Sequence, residues 1–205
     1  MGRLSHKFIE SLGMAPNDVL IQTGTQLGKG LKYCAPHFKT IHTIELDDRY
    51  YHESKRRLAK YKNVLCYHGS SPEVLPLVID PTRPTTFWLD AHFVATDDLQ
   101  AQVQNQCPLM QELLAIFAFR WEAKASILVD DAHFFQPSFW RQRRRSRGYD
   151  IAQWPRQELL RATVEEFGYS MRSVGDVFAI EQKEQSHELE SAAGRSIEEV
   201  AEQEH

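Results

Sequence analysis

Two apolar runs in this chain end abruptly at aspartate. Phe87-Trp88-Leu89 leads into Asp90-Ala91-His92, and Ile127-Leu128-Val129 leads into Asp130-Asp131-Ala132-His133. Short continuous apolar runs of this kind suit strands buried on both faces, as in a parallel sheet. Open α/β sheets bind ligands just outside the carboxyl ends of their strands. Asp90, Asp130 and Asp131 are therefore expected in one crevice, with His92 and His133 beside them. Three carboxylates gathered there repel one another unless a proton or a cation intervenes. A hard divalent ion with oxygen ligands is the natural resolution.

The segments around these runs alternate regularly. Strands are expected at 18–24, 40–46, 64–68, 85–89 and 126–129. Helices are expected at 28–38, 48–61, 71–79, 109–121 and 157–167. Asp47 or Asp48 is placed to cap the second helix, Pro72 is tolerated in a first turn, and Gly168 ends the last helix. Residues 169–174 and 177–180 form two strands around the turn Gly175-Asp176. This order predicts a Rossmann-like, doubly wound, mostly parallel sheet with helices on both faces, closed by a C-terminal hairpin that puts an antiparallel strand at the edge.

Composition fits one soluble domain. Of 205 residues, 42% are hydrophobic and 25% charged, with a net charge of −4. Residues 183–205 hold seven Glu against Lys183 and Arg195, so we divide the chain into a domain over 1–182 and an acidic, disordered tail over 183–205. Cys34, Cys66 and Cys107 are odd in number and widely spaced, which favours a reducing compartment. No apolar run reaches membrane-spanning length and no signal-peptide core is present, so a cytoplasmic protein without membrane partners is expected.

The first strand hands over to Gly24-Thr25-Gln26-Leu27-Gly28-Lys29-Gly30. Glycines there let the backbone turn sharply and approach a ligand. Glu45 ends the next strand, where a carboxylate accepts hydrogen bonds from both hydroxyls of a ribose. These features fit nucleoside binding.

Taken together, Ile21-Gln22-Thr23-Gly24-Thr25, Ile44-Glu45-Leu46, Gly69-Ser70-Ser71, Phe87-Trp88-Leu89-Asp90-Ala91-His92 and Leu128-Val129-Asp130-Asp131-Ala132 resemble the class I S-adenosylmethionine-dependent methyltransferases over about residues 16–182. The layout is similar to metal-dependent small-molecule O-methyltransferases of the macrocin type. The resemblance implies that Gln22, Thr23, Gly24, Thr25 and Gly28 cradle the methionine part of the cofactor and that Glu45 holds the ribose. It implies that Ser70 and Ser71 border the adenine beside Asp90. It further implies that Asp90, Asp130 and Asp131 hold Mg²⁺ and that His92 is the base. Gln22 stands where such relatives often carry Glu, and Ser70 where Asp is usual.

The expected activity is methyl transfer to an oxygen of a small molecule. Mg²⁺ would lower the hydroxyl pKa and orient its oxygen, and His92 would take the proton. Only one of Asp130 and Asp131 is expected to face the ion, because consecutive strand residues face opposite sides. A nicotinamide-dependent oxidoreductase explains the glycine turn and Glu45 but leaves the aspartates without work. A non-catalytic nucleoside-binding module is the third reading. Arg141, Arg143, Arg144, Arg145 and Arg147 follow Trp140. Their forks suit an anionic substrate group, and interleaved aromatics leave RNA as an alternative. A homodimer in which a partner subunit supplies a lid is also open, as is a lid from residues 93–107.

Overall fold

The computed structural model describes residues 4–12, 17–92, 105–142 and 149–183. The acidic tail beyond Lys183 and most of the arginine run lie outside the described residues, as do residues 93–104 of the candidate lid. The seven strands are β1 (Val19–Thr23), β2 (Thr40–Glu45), β3 (Val64–His68), β4 (Thr85–Leu89), β5 (Ala125–Val129), β6 (Tyr169–Val174) and β7 (Val177–Gln182). They form one sheet in the order β3-β2-β1-β4-β5-β7-β6. β1 to β5 pair in parallel, and β7 runs antiparallel to both β5 and β6. The antiparallel strand is thus not at the edge, as the sequence suggested. It slots between β5 and β6, because all of Val177–Ile180 is buried while β6 keeps alternate residues exposed.

Alternation along the strands divides the core between two faces. Val19, Ile21, Phe87, Leu89, Ile127 and Val129 pack on one side with α4 (Ser71–Val78), α5 (Leu109–Phe117) and α7 (Gln157–Glu166). Leu20, Trp88 and Leu128 pack on the other with α1 (His6–Ser11), α2 (Leu31–Cys34) and α3 (Asp48–Leu58). Side chains one residue apart leave a strand in opposite directions, so continuous apolar runs serve both layers. Cys34, Cys66 and Cys107 are all free. No helix among the described residues is long and apolar enough to cross a membrane.

Several boundaries differ from expectation for local reasons. The helix expected over 28–38 is the single turn α2. Gly28 is left-handed at φ 63°, and Pro36 has no N–H to continue the ladder. α5 stops at Phe117, and Trp121 folds back so that its Nε1–H donates to Ile116 O at 3.1 Å. A short α6 (Pro137–Gln142) follows β5 where a loop was expected. Asp47, not Asp48, caps α3, accepting from the Arg49 and Tyr50 amides.

Candidate functional site

The strand order turns back between β1 and β4, and that switch point is where doubly wound sheets bind ligands. Gly24 and Asp90 meet there. A Cβ on Gly24 would lie 2.2 Å from the Asp90 carbonyl oxygen, and Gly24 adopts φ 74°. The turn beyond it is tied to β2. The Gln26 amide, from a left-handed residue at φ 47°, donates to Glu45 Oε2 at 2.6 Å. The Asp47 amide donates to Oε1 at 2.9 Å. Burial pushes the Glu45 carboxyl above its ordinary value, against the pull of these amides. Glu45 thus anchors the glycine turn. Gly28 packs against α3, where an added Cβ would meet Leu58 Cδ1 at 2.9 Å.

Not every residue assigned to the cofactor faces the crevice. Thr23 is fully buried, and its Oγ1 accepts the Asp90 amide at 3.2 Å. Thr25 turns inward to Thr43 Oγ1 at 2.6 Å. Gln22 is buried with its Nε2 donating to Gly24 O at 3.4 Å. Ser70 starts α4 with no capping bond from its hydroxyl, whereas Ser71 is buried.

At the ends of β4 and β5, three donors converge. His92 Nε2 lies 3.3 Å from both Asp90 Oδ1 and Asp131 Oδ2. One ligand atom from each of Asp90, His92 and Asp131 falls within 4.8 Å of the others. His92 is only 6% exposed, against rings of Phe134 at 5.2 Å and Trp154 at 5.5 Å. Of the Asp130–Asp131 pair, Asp131 turns toward His92, helped by a left-handed backbone at φ 52°. Asp130 is buried, and its Oδ1 accepts the Asp131 amide at 2.9 Å. It stands behind this three-donor group rather than within it.

The electrostatics follow from burial. Desolvation pushes the Asp90 carboxyl up to about 8, with Asp130 and Asp131 adding to it and His92 opposing. Asp130 is pushed up to about 6, again mainly by burial. Asp131 is also desolvated, but the His92 hydrogen bond and the His92 and His133 fields outweigh that and hold it below its ordinary value. The group favours one ionised carboxylate unless a cation arrives.

Two residues escaped the sequence reading. Asp176, in the β6–β7 turn, holds His133 Nδ1 at 2.8 Å and accepts its backbone amide at 2.9 Å. Asp131, His133 and Asp176 form a second convergent group. Nothing local announces Asp176, because its partner is 43 residues away. Glu112 did leave a signal, since it sits on the buried face of α5 between Leu109, Leu113 and Ile116. The aromatics near the arginine run have structural employment. Phe134 and Phe135 are buried, and Phe139 and Tyr149 pack against the same core.

No family model matches the chain, and neither does any curated protein. Solved structures do. A protein assigned as a caffeoyl-CoA O-methyltransferase from Staphylococcus aureus superposes with a TM-score of 0.60 at 17% identity, covering 86% of this chain and 79% of that one. The chain has the class I methyltransferase fold. Magnesium protoporphyrin IX methyltransferase (ChlM) from Synechocystis PCC 6803, with bound S-adenosylhomocysteine (SAH), gives 0.54 at 7% identity over 86% and 80% of the two chains. The 23S rRNA methyltransferase ErmE gives 0.51 at 14% identity over 88% and 69%. These neighbours act on unlike substrates, so the fold leaves the acceptor open.

Proposed function

We propose that this chain is an S-adenosylmethionine-dependent methyltransferase acting on an oxygen of a small molecule with help from a divalent cation. The observation that carries this reading is the placement of Gly24, Glu45 and Asp90 around the switch point of a class I methyltransferase fold. The glycine turn offers backbone to the cofactor, and Glu45 offers its carboxylate to the ribose. When bound, S-adenosylmethionine supplies an electrophilic methyl group.

The residues present fit a cation. Asp90 and Asp131 would hold it, with the His92 imidazole within the same 4.8 Å group. Burial, with the fields of Asp130 and Asp131 adding to it, lifts the Asp90 carboxyl to about 8, and a cation would favour its ionised form. Mg²⁺ fits the carboxylates. When bound, the ion acidifies an acceptor hydroxyl. His92, walled by Phe134 and Trp154, receives the proton. The macrocin-type likeness, with its vicinal-oxygen substrate, belongs to this proposal. So does an anionic substrate group for the arginine run.

Glu45→Ala tests the cofactor part. Losing a charge-assisted bond costs roughly 1.5–3 kcal/mol, so SAH affinity measured by calorimetry should fall at least about tenfold. Because Glu45 also anchors Gln26, the variant should melt a few degrees lower. Unchanged affinity would remove Glu45 from the site. An oxidoreductase would instead bind NAD, which the same titration detects.

A further inference from the structure

We propose that Asp176 is a positioning residue for the Asp90–His92–Asp131 group: it caps the chain that follows β5 and so leaves the Asp131 carboxylate turned toward His92. The inference rests on the cation-assisted reading above and concerns a residue outside the group that would hold the ion.

The strand order brings Asp176 there. β7 runs antiparallel beside β5, with Val129 opposite Phe178. Asp176, just before β7, therefore lies beside the chain as it leaves β5. Asp131 opens a short 3₁₀ helix over Ala132–Phe135. An aspartate in that place ordinarily turns its carboxylate onto the free amides of its own helix. Asp131 makes no such bond, and its backbone is left-handed at φ 52°. The amides have other acceptors. Ala132 N–H donates to the Asp176 carbonyl oxygen at 2.9 Å, and His133 N–H donates to Asp176 Oδ1 at 2.9 Å. The Asp176 carboxylate also holds His133 Nδ1 at 2.8 Å. Asp131 N–H goes to Asp130 Oδ1 at 2.9 Å, and Phe134 N–H goes to Asp131 O at 3.0 Å.

Every amide from Asp131 to Phe134 is thus satisfied without the Asp131 side chain, and Asp176 accepts those of Ala132 and His133. Asp131 Oδ2 is left to face His92 Nε2 at 3.3 Å. A left-handed residue other than glycine persists only where its surroundings fix it, and the bonds to Asp176 fix the chain directly after Asp131. Without the Asp176 carboxylate the His133 amide would lose its acceptor. Asp131, at the cap position, has the carboxylate that can replace it. Turning onto that amide would withdraw Asp131 from His92 and from the ion. Residues that orient metal ligands in this way set metal affinity without touching the metal.

The test reads two quantities on the same variants: the imidazole nitrogen signals of His92 by NMR in metal-free protein, and Mg²⁺ affinity by calorimetry. Asp176→Ala removes the side-chain acceptor. Its His92 signals should shift, and it should bind Mg²⁺ about tenfold more weakly than wild type. Asp176→Asn discards the charge but keeps an oxygen for the His133 amide, and should match wild type in both. Gly175→Ala disturbs the same turn with Asp176 in place, and should match as well. Unmoved His92 signals in Asp176→Ala would overturn the inference. So would an Asp176→Asn as altered as Asp176→Ala, because lost charge would then be the cause. An equal shift in Gly175→Ala would also overturn it, because a loosened hairpin would suffice. If Asp176→Ala does not fold, Asp176→Ser draws the acceptor one bond back from the amide. It should shift the His92 signals, and unmoved signals would overturn the inference. Wild type that binds no Mg²⁺, with the His92 signals behaving as expected, would overturn the cation reading and leave the capping role of Asp176 standing.

Discussion

Alanine at position 24 should destabilise the protein by about 3–5 kcal/mol, a large share of the stability of an ordinary domain. Two costs add. The residue must hold φ 74°, which L side chains adopt only with strain, and its Cβ would sit 2.2 Å from the Asp90 carbonyl oxygen and 2.7 Å from its carbonyl carbon. Neither atom can swing aside as a flexible side chain would, because both belong to the backbone leaving β4. The β1 and β4 ends must separate, which opens the crevice at its switch point. For a chain of this length the melting temperature should fall by roughly 10 °C. Gly175→Ala is the control, since Gly175 also has positive φ (59°) but nothing within 4 Å of an added Cβ. It should cost about 1 kcal/mol. If both variants melted alike, the close approach of Gly24 to Asp90 would be wrong.

The second large effect depends on pH. In an unfolded chain an aspartate titrates near 3.9, and burial in the folded protein raises Asp90 to about 8. Folding therefore favours the protonated form. The stability this carries is fully present below about pH 4 and is lost as pH rises toward 8. Asp90→Asn keeps a neutral side chain at every pH. In metal-free buffer it should melt close to wild type at pH 4 and about 5 °C above it at pH 8, on the order of 2 kcal/mol after allowing for shared protons among the aspartates. Asp130, raised to about 6, should make wild type lose stability over the same range. Mg²⁺ or Mn²⁺ should restore the wild type at pH 8 and do little for the variant. A variant less stable than wild type at pH 8 without metal would contradict the buried-carboxyl account.

Much of the fold was legible because the strands carry strong signals. Phe87-Trp88-Leu89 and Ile127-Leu128-Val129 serve two core layers at once, and only a doubly covered strand tolerates that pattern. Helix ends were less legible where a few local residues decide them, as with Gly28 and Pro36 at α2. The position of β7 was hidden for another reason. A hairpin sequence specifies the pairing of β6 with β7 but not which of them meets β5. At the site, the sequence brought Asp90, His92 and Asp131 together correctly as neighbours, since each lies just past a strand end. It could not show that Asp130 turns back to the Asp131 amide, which depends on the left-handed backbone of Asp131. It also placed Thr23 and Thr25 in the crevice, whereas their hydroxyls are used inside the protein by Asp90 and Thr43. A hydroxyl can face either way from a strand end, and only its partners decide.

The central claim is that the Gly24 turn and Glu45 form an S-adenosylmethionine site. Isothermal calorimetry of the wild-type protein with SAH, run beside NAD, tests it most directly. The account predicts saturable one-to-one binding of SAH and none of NAD. Binding of NAD with no heat from SAH would contradict it.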